Sequence, residues 1–109
     1  MEHYVANINT LREQEIMQVE VMYRSVLLIY SDGKIYAIED KCPHQGISLA
    51  TGKVDGDVIR CKDHGLPISL KTGAVTSERQ AAFMRLGQNS RAVSTYSVVL
   101  KGEKIFISI

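Results

Sequence analysis

Apolar and polar positions along this chain alternate mostly with the two-residue period of β structure and show almost no helical periodicity. IMQVEV, residues 16–21, alternates as a half-buried strand would. SVLLIY (25–30) and IYAI (35–38) are β-rich runs, and Ser31, Asp32, Gly33 and Lys34 between them predict a hairpin. Asp55 and Gly56 mark a turn between Val54 and the run Val58, Ile59, Arg60. STYSVVL and KIFISI flank Lys101, Gly102 and Glu103 and predict a closing hairpin. ERQAAFM, 78–84, is the one segment with helical character. No repeat, low-complexity tract or shift in composition divides the chain. The expectation is one all-β domain over 1–109, a small antiparallel sandwich or barrel.

Composition narrows the class without changing the fold. The chain has 109 residues, 45% of them hydrophobic, enough for one core without disulfide staples. A formal charge of +1, with no basic run and no interleaved basic and aromatic stripe, argues against nucleic acid as a partner. No stretch has the length of a membrane span, and MEHYVANINTLREQE lacks the regions of a signal peptide. A soluble, cytoplasmic protein with no membrane partner is expected. His3, in this polar N-terminus, is expected to be solvent-exposed. Met17, Met22 and Met84 are expected in the core or on strand faces, and Tyr30, Tyr36 and Tyr96 in the sheet.

Candidate chemistry concentrates in two short loops. KCPHQG, 41–46, carries Cys42 and His44, and CKDHG, 61–65, carries Cys61 and His64. The pattern is C-x-H, 16 residues, then C-x-x-H. Both pairs follow predicted strands, so the two loops are expected to converge at one end of the sheet. Two soft thiolates and two imidazoles suit a metal with a mixed sulfur and nitrogen shell, and Gly46 and Gly65 let backbone N–H groups come close to it. Zinc and iron–sulfur chemistry are both open, although structural zinc sites favour C-x₂₋₄-C and H-x₃₋₅-H spacings. A disulfide would consume the only two cysteines, Cys42 and Cys61.

At Cys42-Pro43-His44 and Cys61-Lys62-Asp63-His64-Gly65 the sequence resembles the Rieske [2Fe–2S] proteins. The resemblance extends to TGKVDGDVIRC before the second loop and to LKTG, 70–73, after it. It covers residues 36–76 closely and places a cluster-binding part at about 40–76, formed by two loops. It implies one [2Fe–2S] cluster per chain, with Cys42 and Cys61 on one iron and His44 and His64 on the other. Two thiolates with neutral imidazoles would leave the oxidised cluster uncharged, which favours reduction relative to a four-thiolate cluster.

The departures from that family shape the expected function. The Rieske proteins of respiratory bc complexes have a disulfide between the cluster loops and a membrane anchor, and this chain has neither a third cysteine nor a span. Rieske oxygenases add a two-histidine, one-carboxylate iron site, and His3 is the only further histidine here. The chain is similar instead to soluble Rieske-type ferredoxins. That implies an electron carrier, not itself a catalyst, between a flavin-dependent reductase and a terminal oxygenase. The alternatives are the small subunit of an NAD(P)H-dependent nitrite reductase, bound to the reductase large subunit, and a zinc-stabilised binding module. Where high-potential members carry a Ser and a Tyr after the second His-Gly, this chain has Leu66 and Ile68. These two, with Pro67 and Ile47, are expected to form an apolar docking rim around His44 and His64. Lys41, Arg60, Lys62 and Lys71 admit a docking patch or an ordinary solvated face.

Overall fold

The structure, a computed structural model, describes residues 1–43, 46–62, 65–87 and 91–109. In chain order the elements are β1 (Glu2–Asn7), α1 (Ile8–Gln14), β2 (Ile16–Val21), β3 (Arg24–Ser31), β4 (Lys34–Glu39), β5 (Lys53–Asp55), β6 (Val58–Arg60), β7 (Pro67–Ser69), α2 (Glu78–Phe83), β8 (Ser97–Lys101) and β9 (Lys104–Ser108). The strands form three antiparallel sheets of three, ordered β1-β9-β8, β2-β3-β4 and β5-β6-β7. The expectation of a mostly β, antiparallel fold holds, and among the described residues no closed barrel is made.

The middle sheet organises the other two because β3 is apolar on both faces. Val26, Leu27, Leu28 and Ile29 are all fully buried. Successive side chains of a strand point to opposite faces, so a continuous apolar run must be covered on both sides. Val26, Leu28 and Ala37 pack with Ala6, Ile8, Leu11, Ile105 and Ile107, from the terminal sheet and α1. Leu27, Ile29 and Ile38 pack on the opposite side with Leu49, Ile59, Leu66 and Ile68, from the third sheet and its loops. The chain leaves the middle sheet after β4 and returns beside it. The Glu39 N–H donates to the Ser94 carbonyl (2.8 Å), and the Tyr96 N–H donates to the Ala37 carbonyl (2.9 Å).

The predicted hairpins are all present, the one at Asp32-Gly33 pairing Ser31 with Lys34. The N-terminal segment differs from expectation. It holds a strand, β1, and a second helix, α1, whose Asn7 cap accepts from the Asn9 N–H at 2.8 Å. Ile8 and Leu11, one helical turn apart, supply its buried face. His3 lies opposite Ile107 in β1 and is half-buried, not solvent-exposed. β7 was also not anticipated; it pairs with β6 and starts at Pro67.

Met22 is neither in the core nor on a strand face. With Tyr23 it forms the two-residue turn between β2 and β3, where Val21 pairs with Arg24. Both turn residues have positive φ, 51° and 66°, the geometry of a type I′ turn, which ordinarily takes Asn-Gly. Both side chains project into solvent, Met22 at 62% and Tyr23 at 96% exposure. Nothing buried offsets the steric cost of left-handed backbone at these positions. The double variant Met22→Asn/Tyr23→Gly is therefore expected to gain about 1–2 kcal/mol of stability, read as a higher denaturant midpoint at unchanged m. An unchanged or lower midpoint would show that the turn is not strained.

Candidate metal centre

The two cysteine loops share one backbone solution. In the first, the Cys42 N–H donates to the Ile47 carbonyl at 2.6 Å; in the second, the Cys61 N–H donates to the Leu66 carbonyl at 2.9 Å. Each cysteine is thus tied to the residue five positions on. Each loop carries a glycine four positions past its cysteine, Gly46 at φ 72° and Gly65 at φ 66°. The left-handed backbone turns the chain back within so short a span. His44 and His64 lie outside the described residues, inside the spans these bonds close.

Cys42 and Cys61 are buried, at 0% and 2% exposure, and belong to one apolar cluster with Leu27, Ile29 and Ile38 of the middle sheet. Both predicted sulfur ligands are therefore buried within the same apolar cluster. No disulfide joins them. A thiolate in such surroundings is costly unless a cation compensates it, and soft thiolates on separate loops match an iron–sulfide group. The residues present fit a cluster of that kind.

A polar clamp fixes the first loop from outside. The Asp40 N–H donates to the Ser25 carbonyl (3.0 Å), which ties the start of the loop to β3. Asp40 Oδ1 accepts from the Ser48 hydroxyl and the Leu49 N–H, both at 2.8 Å. Its Oδ2 accepts from Gln18 Nε2 of β2 at 2.9 Å, and the same amide donates to the Ser48 oxygen at 3.0 Å. Gly52 then lets the two loops meet. A Cβ there would stand 2.5 Å from the Arg60 carbonyl oxygen and 3.1 Å from that of Leu49. Only a residue without a side chain permits the end of the first loop to lie this close to the residue preceding Cys61. Within the second loop, Arg60 Nη1 donates to the Gly65 carbonyl at 3.3 Å.

The expected apolar docking rim is not there. Leu66 and Ile68 are fully buried and Pro67 is buried too. β7 folds back on β6 and turns Leu66 and Ile68 into the cluster that holds the cysteines. Of the four residues named for the rim only Ile47, 38% exposed, reaches the surface. Lys41, Arg60, Lys62 and Lys71 are exposed, and Lys71 pairs with Asp57 at 3.5 Å. Sequence reasoning missed Asp40, Ser48, Gln18 and Gly52. An acidic residue two positions before Cys42 and a glycine midway between the motifs were the available signals.

Two buried cysteines on matched loops of a mostly β fold are the arrangement that the comparisons with known proteins explain. Residues 1–97 match the model of the Rieske [2Fe-2S] domain, and the chain belongs to that family, whose cofactor is a [2Fe–2S] cluster. It is 36% identical over 90 residues to ferredoxin CarAc of Metapseudomonas resinovorans, covering 82% of each chain. It is 32% identical over 73 residues to human apoptosis-inducing factor 3, covering 67% of this chain and spanning 12% of that protein. The fold matches the ferredoxin of carbazole 1,9a-dioxygenase from Nocardioides aromaticivorans with a TM-score of 0.81, at 23% identity, over 99% of this chain and 97% of that one. Among the described residues no helix is long and apolar enough to cross a membrane.

The close approach at Gly52 makes a sharp expectation. In Gly52→Ala the new methyl must push the Arg60 carbonyl away, which parts the two loops. Cluster occupancy, measured as iron and sulfide per chain, should fall well below that of the parent protein. Full occupancy would show that the loops tolerate separation at this point.

Proposed function

We propose that this chain is a soluble, cytoplasmic one-electron carrier, a Rieske-type ferredoxin that passes electrons from a flavin-dependent reductase to a terminal oxygenase. It acts as a component of an oxidoreductase system, not as a catalyst alone. The single observation that carries this reading is the pair of buried cysteines on matched loops. The likeness to a ferredoxin component over 82% of both chains supports the role assigned to them. The chain is read as one domain, 1–109, with the cluster held within 40–76.

In this reading Cys42 and Cys61 would hold one iron and His44 and His64 the other, and the bound cluster would supply a one-electron couple. The chain's own residues hold the geometry. Asp40 holds the first loop through Ser48 and Leu49, and Gly52 lets it lie against Arg60. Leu66 and Ile68, with Leu27 and Ile29 of β3, exclude water from the protein side of the thiolates. A dry, preformed socket suits rapid exchange.

The purified protein is expected to be red-brown, with iron and sulfide in equal amounts and a [2Fe–2S] EPR signal only after reduction. Cys42→Ser or Cys61→Ser should each remove the cluster, because no other cysteine is present to substitute. A colourless protein with stoichiometric zinc, or full cluster retention in either variant, would overturn the assignment.

The reduction potential is expected in the lower part of the Rieske range of roughly −150 to +300 mV. Hydroxyl donors to cluster sulfurs stabilise the reduced state, and Leu66 and Ile68 have none. Their full burial also denies those positions to water. Protein-film voltammetry tests this: a potential near the top of the range would mean that backbone donors outweigh the missing hydroxyls.

A further inference from the structure

Beside the second cysteine loop lies a groove of about 300 Å³. Thr51, Gly52 and Gly65 line it together with three cations, Lys53, Arg60 and Lys62, and Cys61 borders it as well. The chain as a whole carries 13 basic and 12 acidic residues. Three of those basic side chains nonetheless converge on this groove, and among the described residues none of its lining is acidic.

The arrangement works against stability. Lys53 and Arg60 are directly opposite one another in the β5–β6 ladder, so their side chains leave the same face, and both are exposed. Like charges at directly opposed positions repel. The ion pairs among the described residues, Lys71–Asp57, Arg91–Glu78 and Lys101–Glu2, relieve none of the three. Arg60 spends a hydrogen bond on the Gly65 carbonyl, which fixes its position and leaves its charge in place. Charges gathered in this way on one side of a recess give the complementary potential that a charged partner would meet.

We propose that this groove is the docking site for a carboxylate-bearing patch on a partner protein. Aspartate or glutamate side chains of the partner would enter between Lys53 and Lys62 and cancel the repulsion that the isolated chain bears. The partner would then sit against the loop of Cys61. Opposite potentials speed encounter and set orientation while keeping the complex short-lived at physiological salt. The proposal rests on the electron-carrier reading for its purpose, but the groove's preference for carboxylates can be measured without it.

The test uses the purified full chain, a labelled oligoglutamate peptide, and a labelled oligonucleotide of equal charge as a second probe. Binding is followed by fluorescence anisotropy at low and moderate salt, and the visible spectrum of each sample reports the cluster. The parent protein should bind the peptide, less tightly as salt rises. Lys53→Glu and Lys62→Glu should each weaken binding by roughly tenfold or more, while Lys104→Glu, the same charge change on β9, should have little effect. Lys53→Glu should in addition raise the melting temperature, because it turns the repulsive pair with Arg60 into an attractive one. Equal peptide binding by parent and variants, or none by the parent, would overturn the proposal. Stronger binding of the oligonucleotide would overturn the protein patch as occupant. Charge-dependent peptide binding by a sample with no cluster spectrum would uphold the groove and defeat the carrier reading instead.

Discussion

The structure depends on one strand that has no polar side. From Val26 to Ile29 β3 presents apolar groups to both faces of the middle sheet, and all four are sealed from water. Such a strand is stable only between two covering layers. The terminal sheet and α1 supply one, and the segment with the two cysteine loops supplies the other. The thiols are therefore part of the packing that β3 demands, and Leu27 and Ile29 lie in the same cluster as Cys42 and Cys61. Folding of the sandwich and burial of the two thiols are one physical event seen from two sides of a strand.

The metal centre is assembled from a repeated local device and two connections particular to this chain. The device is the cysteine tied five residues ahead through its backbone N–H, with a left-handed glycine in between. It would set the two sulfurs independently of each other. Asp40 and Gly52 remove that independence. The first anchors the leading loop to β2 and β3 through Gln18 and the Ser25 carbonyl. The second brings its trailing end against Arg60, the residue next to Cys61. Close-packed protein interiors transmit displacement instead of absorbing it, so a shift at one loop is felt at the other.

How much of this was legible in the sequence depended on whether the signal was local. Asp32-Gly33 and Lys101-Gly102-Glu103 announced their hairpins because turn geometry is written in residue type. The turn at Met22-Tyr23 was invisible because neither residue favours positive φ. α1 has only Ile8 and Leu11 on its buried face, too few positions to establish a helical period, and β1 was hidden with it. The candidate donors stood out as Cys and His pairs because two such pairs in compact loops are a local signal, and both cysteines lie in one buried cluster. The orientation of Leu66 and Ile68 was not recognisable, since it follows from the pairing of β7 with β6. Likewise the contact of Asp40 with Gln18 spans 22 residues and has no trace in local pattern.

One further consequence follows from the path of the chain around β4. The segment carrying both cysteine loops begins after Glu39 and ends at Ser94, and these two residues are hydrogen-bonded to each other through backbone and side chain. A bridge between Ile38 and Thr95 fastens the same point. An insert whose ends already touch can change length at small cost, because the entropy of closing the junction grows only with the logarithm of the residues between. This part of the protein is thus a transplantable cassette. Evolution or a protein engineer can vary its length and surface charge with the register of β3 and β4 preserved, provided the replacement keeps the apolar side chains that cover Leu27 and Ile29.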